Sequence, residues 1–141
     1  GSMEAPVNPV ATVLGYGCGF VAQGTPADLP GLIALIEEAI RYPGFAFVNV
    51  QSPCVTFGSP DWQLPQHKKT LKKLIELGHD PANRLAAFDL AQQYGEELHV
   101  GVLYRNPNPP VTYDQLVRQR QAELAGNTVQ KDRILEMFKV A

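Results

Sequence analysis

The sequence predicts an α/β fold: a short, mostly parallel sheet with flanking helices and a helical C-terminal tail. Three observations predict it. Residues 20–22 (Phe-Val-Ala) and 45–50 (Phe-Ala-Phe-Val-Asn-Val) are short, uncharged apolar runs, the pattern of strands covered on both faces. An amphipathic helical segment separates them, so strand, helix and strand fit in about thirty residues, a βαβ unit with a right-handed crossover. Gly and Pro number 12 each in 141 residues; this exceeds average usage and breaks the chain into short elements.

The elements follow in order. Gly1-Ser2-Met3 has the form of an expression scar and is set aside. Residues 10–14 read as a short helix stopped by Gly15 and Gly17, and residues 20–22 as a buried strand. Asp28 is a good N-cap and Pro30 sits in the first turn of the next helix, with Leu29, Leu32, Ile33, Ile36 and Ile40 on one face. Pro43-Gly44 ends it, and strand 45–50 follows. That strand is expected in the sheet interior. Residues 51–64 read as an irregular loop, with Trp62 the only tryptophan.

Residues 66–77 read as a basic helix, with Leu71, Leu74 and Ile75 inward, Lys68, Lys69, Lys72 and Lys73 outward, and Gly78 as its stop. Asp80-Pro81 caps a helix running to Tyr94, residues 98–104 form a third strand, Thr112 caps a polar helix, and residues 128–140 form a last one.

Composition excludes several classes. Twelve basic against 14 acidic residues give a net charge of −2, which argues against a nucleic-acid surface. No apolar run approaches the ~18 residues of a membrane span, and no signal peptide is visible. Two cysteines, Cys18 and Cys54, are too few for a disulfide scaffold, so the expectation is a reduced, cytoplasmic protein.

Ligands of open α/β sheets sit outside the carboxyl ends of the strands. Cys54 lies just past such an end, with Pro53 stiffening its approach. It is the one well-placed candidate for a ligand or nucleophile; the plainer alternative is a loop cysteine filling a gap. Cys18, between two glycines, reads as packing. The cysteines have no CxxC spacing and no neighbouring His, so a self-contained zinc site is not expected. His67, His79 and His99 lie on different elements. The adjacent Glu37 and Glu38 point about 100° apart on a helix and do not form an acid–base pair. Gly15-Tyr16-Gly17-Cys18-Gly19 precedes a strand instead of following one, so it reads as a turn and not as a phosphate loop. The lysines of residues 68–73 read as a solvated helix face, with anion binding the weaker alternative.

Four stretches carry a resemblance to a known family. They are Pro6-Val7-Asn8-Pro9; Gly19-Phe20-Val21-Ala22; Leu35-Ile36-Glu37-Glu38-Ala39-Ile40; and Gly44-Phe45-Ala46-Phe47-Val48-Asn49-Val50-Gln51-Ser52-Pro53-Cys54-Val55-Thr56-Phe57. Together they resemble the β subunit of 2-oxoacid:ferredoxin oxidoreductases. Gly78-His79-Asp80-Pro81 and Val100-Gly101-Val102-Leu103-Tyr104 are similar to that subunit's C-terminal tail. Ser-Pro-Cys-Val-Thr-Phe is closer to the 2-oxoglutarate-type branch than to the pyruvate-type branch, which tends to carry Ala-Pro-Cys-Pro.

The resemblance implies a partial thiamine diphosphate-binding fold, with residues 4–64 as the end of the cofactor domain and residues 65–141 as a C-terminal extension. It implies a subunit that binds thiamine diphosphate and Mg²⁺ through a Gly-Asp-Gly motif and holds a 4Fe–4S cluster on four cysteines. Only the fourth position is present, as Cys54; the Gly-Asp-Gly motif and the CxxC pair are missing. The chain is therefore expected to be a C-terminal piece, holding no cofactor and inactive alone. In the intact enzyme the implied reaction is oxidative decarboxylation of a 2-oxoacid, on the resemblance 2-oxoglutarate, to an acyl-CoA with reduction of ferredoxin. The implied partners are an α subunit, ferredoxin, CoA and the 2-oxoacid. The alternative is a stand-alone assembly domain that keeps the fold without catalysis. An apolar strand robbed of neighbours templates pairing, so the piece is expected to self-associate, most simply as a twofold homodimer.

Overall fold

The computed structural model describes residues 3–58, 63–93, 97–126 and 136. Trp62, Tyr94 and the expected helix over 128–140 lie outside them, apart from residue 136. The chain divides into two units, residues 1–109 and 110–141.

The first unit is a four-stranded sheet between helices. Its elements are α1 (Pro9–Gly15), β1 (Phe20–Gly24), a 3-10 turn (Pro26–Asp28), α2 (Leu29–Arg41), β2 (Ala46–Val50), α3 (Leu64–Thr70), β3 (Leu71–Lys73), α4 (Arg84–Gln92) and β4 (Leu98–Arg105). The strand order is β2-β1-β4-β3. β1 pairs parallel with β2 and β3 parallel with β4, whereas β1 and β4 are antiparallel, with a register shift between Val21 and Ala22. The sheet is thus mostly parallel by pairing, and it joins strands from both sides of residue 64.

Asn8 starts α1. Its Oδ1 accepts from the Ala11 amide at 3.0 Å, while its Nδ2 donates to the Ala91 carbonyl at 2.6 Å and ties α1 to α4. Arg84 adds a second tie, donating to the Leu14 carbonyl and lying 5.4 Å over the Tyr104 ring. Val10, Leu14, Cys18, Val21, Leu74, Ala87, Leu103 and Tyr104 fill the core on this face. Phe20, Ala22 and Tyr42 fill the other, under Leu35 and Ala39 of α2. Cys18 is packing, as expected: it is 1% exposed, burial pushes its thiol up, and it donates to the Phe20 carbonyl. The glycine turn around it leads into β1. Gly17 has φ +90°, and a Cβ on Gly19 would stand 2.4 Å from the Tyr42 hydroxyl.

Four expectations need correction. Residues 66–77 are not one helix: α3 ends at Thr70 and residues 71–73 form β3, because the free side of β4 offers a ladder that outweighs local helix propensity. Leu74 is buried there, but Ile75 is 86% exposed. The inward face of α2 is Leu32, Leu35 and Ala39; Leu29, Ile33, Ile36 and Ile40 face out. The helix is apolar over a wide arc, and periodicity alone does not say which part of that arc meets the sheet. β2 lies at the edge of the described sheet, and β1 and β4 are its interior strands. Finally, α4 is capped by Asn83, whose Oδ1 accepts from Ala86; Asp80 accepts from Ala82 in the turn before it.

In the second unit, α5 (Tyr113–Gly126) is polar, as expected. Exposed ion pairs Asp114–Arg118 (3.5 Å) and Arg120–Glu123 (3.0 Å) run along it.

Candidate functional site

Cys54 stands four residues beyond the carboxyl end of β2. The polar residues at that end form one network. Gln23 of β1 accepts from the Asn49 amide group at 2.8 Å and donates to the His99 carbonyl at 2.8 Å. Asn49, the one polar residue in β2, thereby has its place. The Gln51 amide donates to the Gly24 carbonyl at 2.8 Å, which carries the β2 path one residue further along β1.

The chain then turns. The Gly58 amide donates to the Cys54 carbonyl at 2.9 Å and the Phe57 amide points at Cys54 Sγ at 3.3 Å. Only glycine fits at 58, because a Cβ there would lie 2.4 Å from the Cys54 carbonyl oxygen. The thiol is exposed, and the backbone N–H groups of Phe57 and then Thr56 hold it below the ordinary cysteine value, since a hydrogen bond to the charged form favours that form. Val55 and Phe57, in the turn that follows, stand out in solvent, 88% and 92% exposed. The site is an exposed thiol supported by amide N–H groups, with apolar side chains beside it. Chemically it can bind a soft metal centre.

The other candidates resolve differently. Glu37 and Glu38 diverge to separate arginines, Arg41 at 3.1 Å and Arg105 at 2.5 Å. Lys72 and Lys73 are matched by Glu97 (3.7 Å) and Asp28 (3.3 Å). His79 Nε2 meets the Leu103 carbonyl at 2.7 Å, and His99 lies 3.5 Å from Glu97. Among the described residues no three His, Cys, Asp or Glu side chains converge on a metal position. A cavity of about 490 Å³ opens between α2 and β4, but Leu32, Leu35, Leu74, Val100 and Val102 make it mainly apolar.

Sequence reasoning missed one pairing near this region. Thr25 and His67 are almost fully buried and joined through Thr25 Oγ1 and His67 Nδ1 at 3.0 Å. Forty-two positions separate them, and no local pattern pairs them.

Comparison with known proteins agrees with this geometry. Residues 54–121 match the family described as the C terminal of the pyruvate ferredoxin oxidoreductase beta subunit, and that match begins at Cys54. A 2-oxoacid:ferredoxin oxidoreductase subunit beta from Sulfolobus is 29% identical over 124 residues, covering 79% of this chain and 39% of the relative. Subunit beta of 2-oxoacid:ferredoxin oxidoreductase 1 from Aeropyrum pernix is 30% identical over 129 residues, covering 84% and 40%. The structure of 2-oxoglutarate:ferredoxin oxidoreductase from Magnetococcus marinus, with 2-oxoglutarate, coenzyme A and succinyl-CoA bound, superposes with a TM-score of 0.79 at 30% identity; it covers 99% of this chain and 47% of that one. The chain spans about two-fifths of the length of these curated relatives. It is similar to the C-terminal part of the β subunit of the 2-oxoacid:ferredoxin oxidoreductases.

Proposed function

We propose that the chain is the C-terminal part of a β subunit that works with an α subunit to decarboxylate 2-oxoglutarate oxidatively to an acyl-CoA and to reduce ferredoxin in the cytoplasm. The 2-oxoglutarate bound in the Magnetococcus structure and the Ser-Pro-Cys-Val-Thr-Phe run support that substrate. In this reading Cys54 is one of four thiolates holding a 4Fe–4S cluster. The observation that carries it is the turn itself: an exposed thiol held toward thiolate by amide N–H groups suits one ligand of a cluster completed by cysteines from outside this chain. The chain cannot complete the set, because its only other cysteine is buried in the core.

Thiamine diphosphate would supply the carbanion chemistry of the intact enzyme. The sequence has no Gly-Asp-Gly motif for its pyrophosphate and Mg²⁺. The isolated chain is therefore inactive in this reading. Calorimetric titration with thiamine diphosphate and Mg²⁺ should give no heat of binding; micromolar affinity would overturn this.

The decisive experiment uses the full-length subunit assembled with its α partner. Cys54→Ala should lower iron and sulfide content and ferredoxin reduction, while the subunit still folds. If neither changes, Cys54 is a structural residue and the site assignment fails.

A further inference from the structure

We infer that the buried Thr25–His67 pair is a positioning device for Cys54, clamping both ends of the cysteine loop to one corner at the end of β1; this rests on the reading of Cys54 as a cluster ligand.

The corner is Gly24–Thr25. From it, one path of hydrogen bonds runs forward to the cysteine. The Gly24 carbonyl accepts from Gln51 at 2.8 Å, fixing the residue three before Cys54. A second path returns from the far side. Thr25 Oγ1 meets His67 Nδ1 at 3.0 Å; the His67 amide donates to the Gln63 carbonyl at 3.1 Å; and the Gln63 side chain donates to the Cys54 carbonyl at 3.4 Å. That same Cys54 carbonyl accepts from Gly58 and so defines the turn that aims the Phe57 amide at Sγ.

His67 suits this role by position. It is 2% exposed and is the one buried side chain of α3. Without it, α3 would rest on half-exposed contacts. Thr25 is fully buried and also accepts from the Ala27 amide at 3.3 Å, which starts the 3-10 turn before α2. The threonine hydroxyl therefore holds the loop and the turn together. Cluster potentials respond to hydrogen bonds on the ligand sulfurs, so a change in how this turn is held reaches the metal centre without touching it.

The test has two measurements. Hydrogen exchange on the full chain reads amide protection over residues 51–58. Thr25→Val and His67→Ala should each speed exchange there about tenfold, the effect of losing one buried hydrogen bond. Thr25→Ser, which keeps the hydroxyl, and His67→Asn, which places a polar atom near the Nδ1 position, should restore protection. β1 and β4 amides report whether the fold survives. If His67→Ala fails to fold, Thr25→Val against Thr25→Ser decides the same point. Unchanged protection over 51–58 in a folded Thr25→Val or His67→Ala chain overturns the inference.

The second measurement is the electron paramagnetic resonance spectrum of the reduced cluster in the assembled enzyme. Thr25→Val should shift it and Thr25→Ser should not; an unshifted Thr25→Val spectrum also overturns the inference. Cys54→Ser separates the two ideas. If it leaves the spectrum unaltered, the ligand reading fails, while the exchange data still decide whether the pair holds the loop.

Discussion

β1 has two hydrogen-bonded neighbours with opposite fates. β4 buries Leu98, His99, Val100, Leu103 and Tyr104. β2 has no buried residue, although Ala46-Phe47-Val48-Asn49-Val50 is at least as apolar. The helix over β2 repeats the contrast: Leu32 is 8% exposed, but Ile33 is 49% and Ile40 is 78%. Phe45, at the head of β2, is 61% exposed. The difference teaches that hydrophobic pattern reports the surroundings a segment is built for, and here those surroundings are finished on one flank of β1 and open on the other.

The contrast is broken or sharpened by substitutions on the two flanks. The largest effect is expected at Phe20, which is fully buried. Phe20→Ala should cost about 3–5 kcal/mol in urea denaturation, against about 0.5 kcal/mol or less for Phe45→Ala on the open flank. Equal losses would mean that β2 is covered in solution.

Next is Gly19→Ala, whose new Cβ would press against Tyr42. Overpacking of that kind costs about 1–3 kcal/mol, read as a lower midpoint with unchanged slope.

A third test uses pH. Burial lowers the pKa of His67 below its ordinary value. The unfolded chain therefore binds the proton more readily than the folded one. The His67 contribution is fully present above the unfolded value, about 6.5, and is lost as pH falls below it toward the folded value. Stability measured from pH 7.5 down to 5 should decline, and His67→Asn should flatten that decline.

The smallest stability effect is expected on the outer stripe of α2. Ile33→Gln with Ile36→Gln should move stability by only about 0.5 kcal/mol per site, yet should abolish self-association of the isolated chain. Light scattering checks this: a dimer for the parent and 15.4 kDa for the variant. A monomeric parent at high concentration would remove the dimer.

How much of this was legible follows from the kind of information each feature carries. The βαβ unit was readable because residues 20–50 hold it in local pattern. The Asp28 cap was readable for the same reason, and its side chain does accept from Gly31. β3 was not readable: its three residues are strand only because β4 lies beside them. The facing of α2 was not readable either, since the same helix offers two apolar stripes. Of the candidate site, Cys54 was visible from its place after a strand, whereas the contacts of Gln23, Thr25, Gln63 and His67 arise only where the fold brings distant segments together.

The antiparallel register of β1 with β4 has a consequence for biosynthesis. Phe20 pairs with Arg105, and Gln23 with Gly101, so β1 waits about 80 residues for the partner on its better-buried side. At about 5–20 residues per second, that interval is roughly 4–16 seconds on the ribosome. Throughout it, the side of β1 that β4 will cover stays unpaired by that strand. Chaperone demand for this chain should therefore peak before residue 98 emerges, and slowing translation between residues 50 and 98 should lengthen the window in which it aggregates.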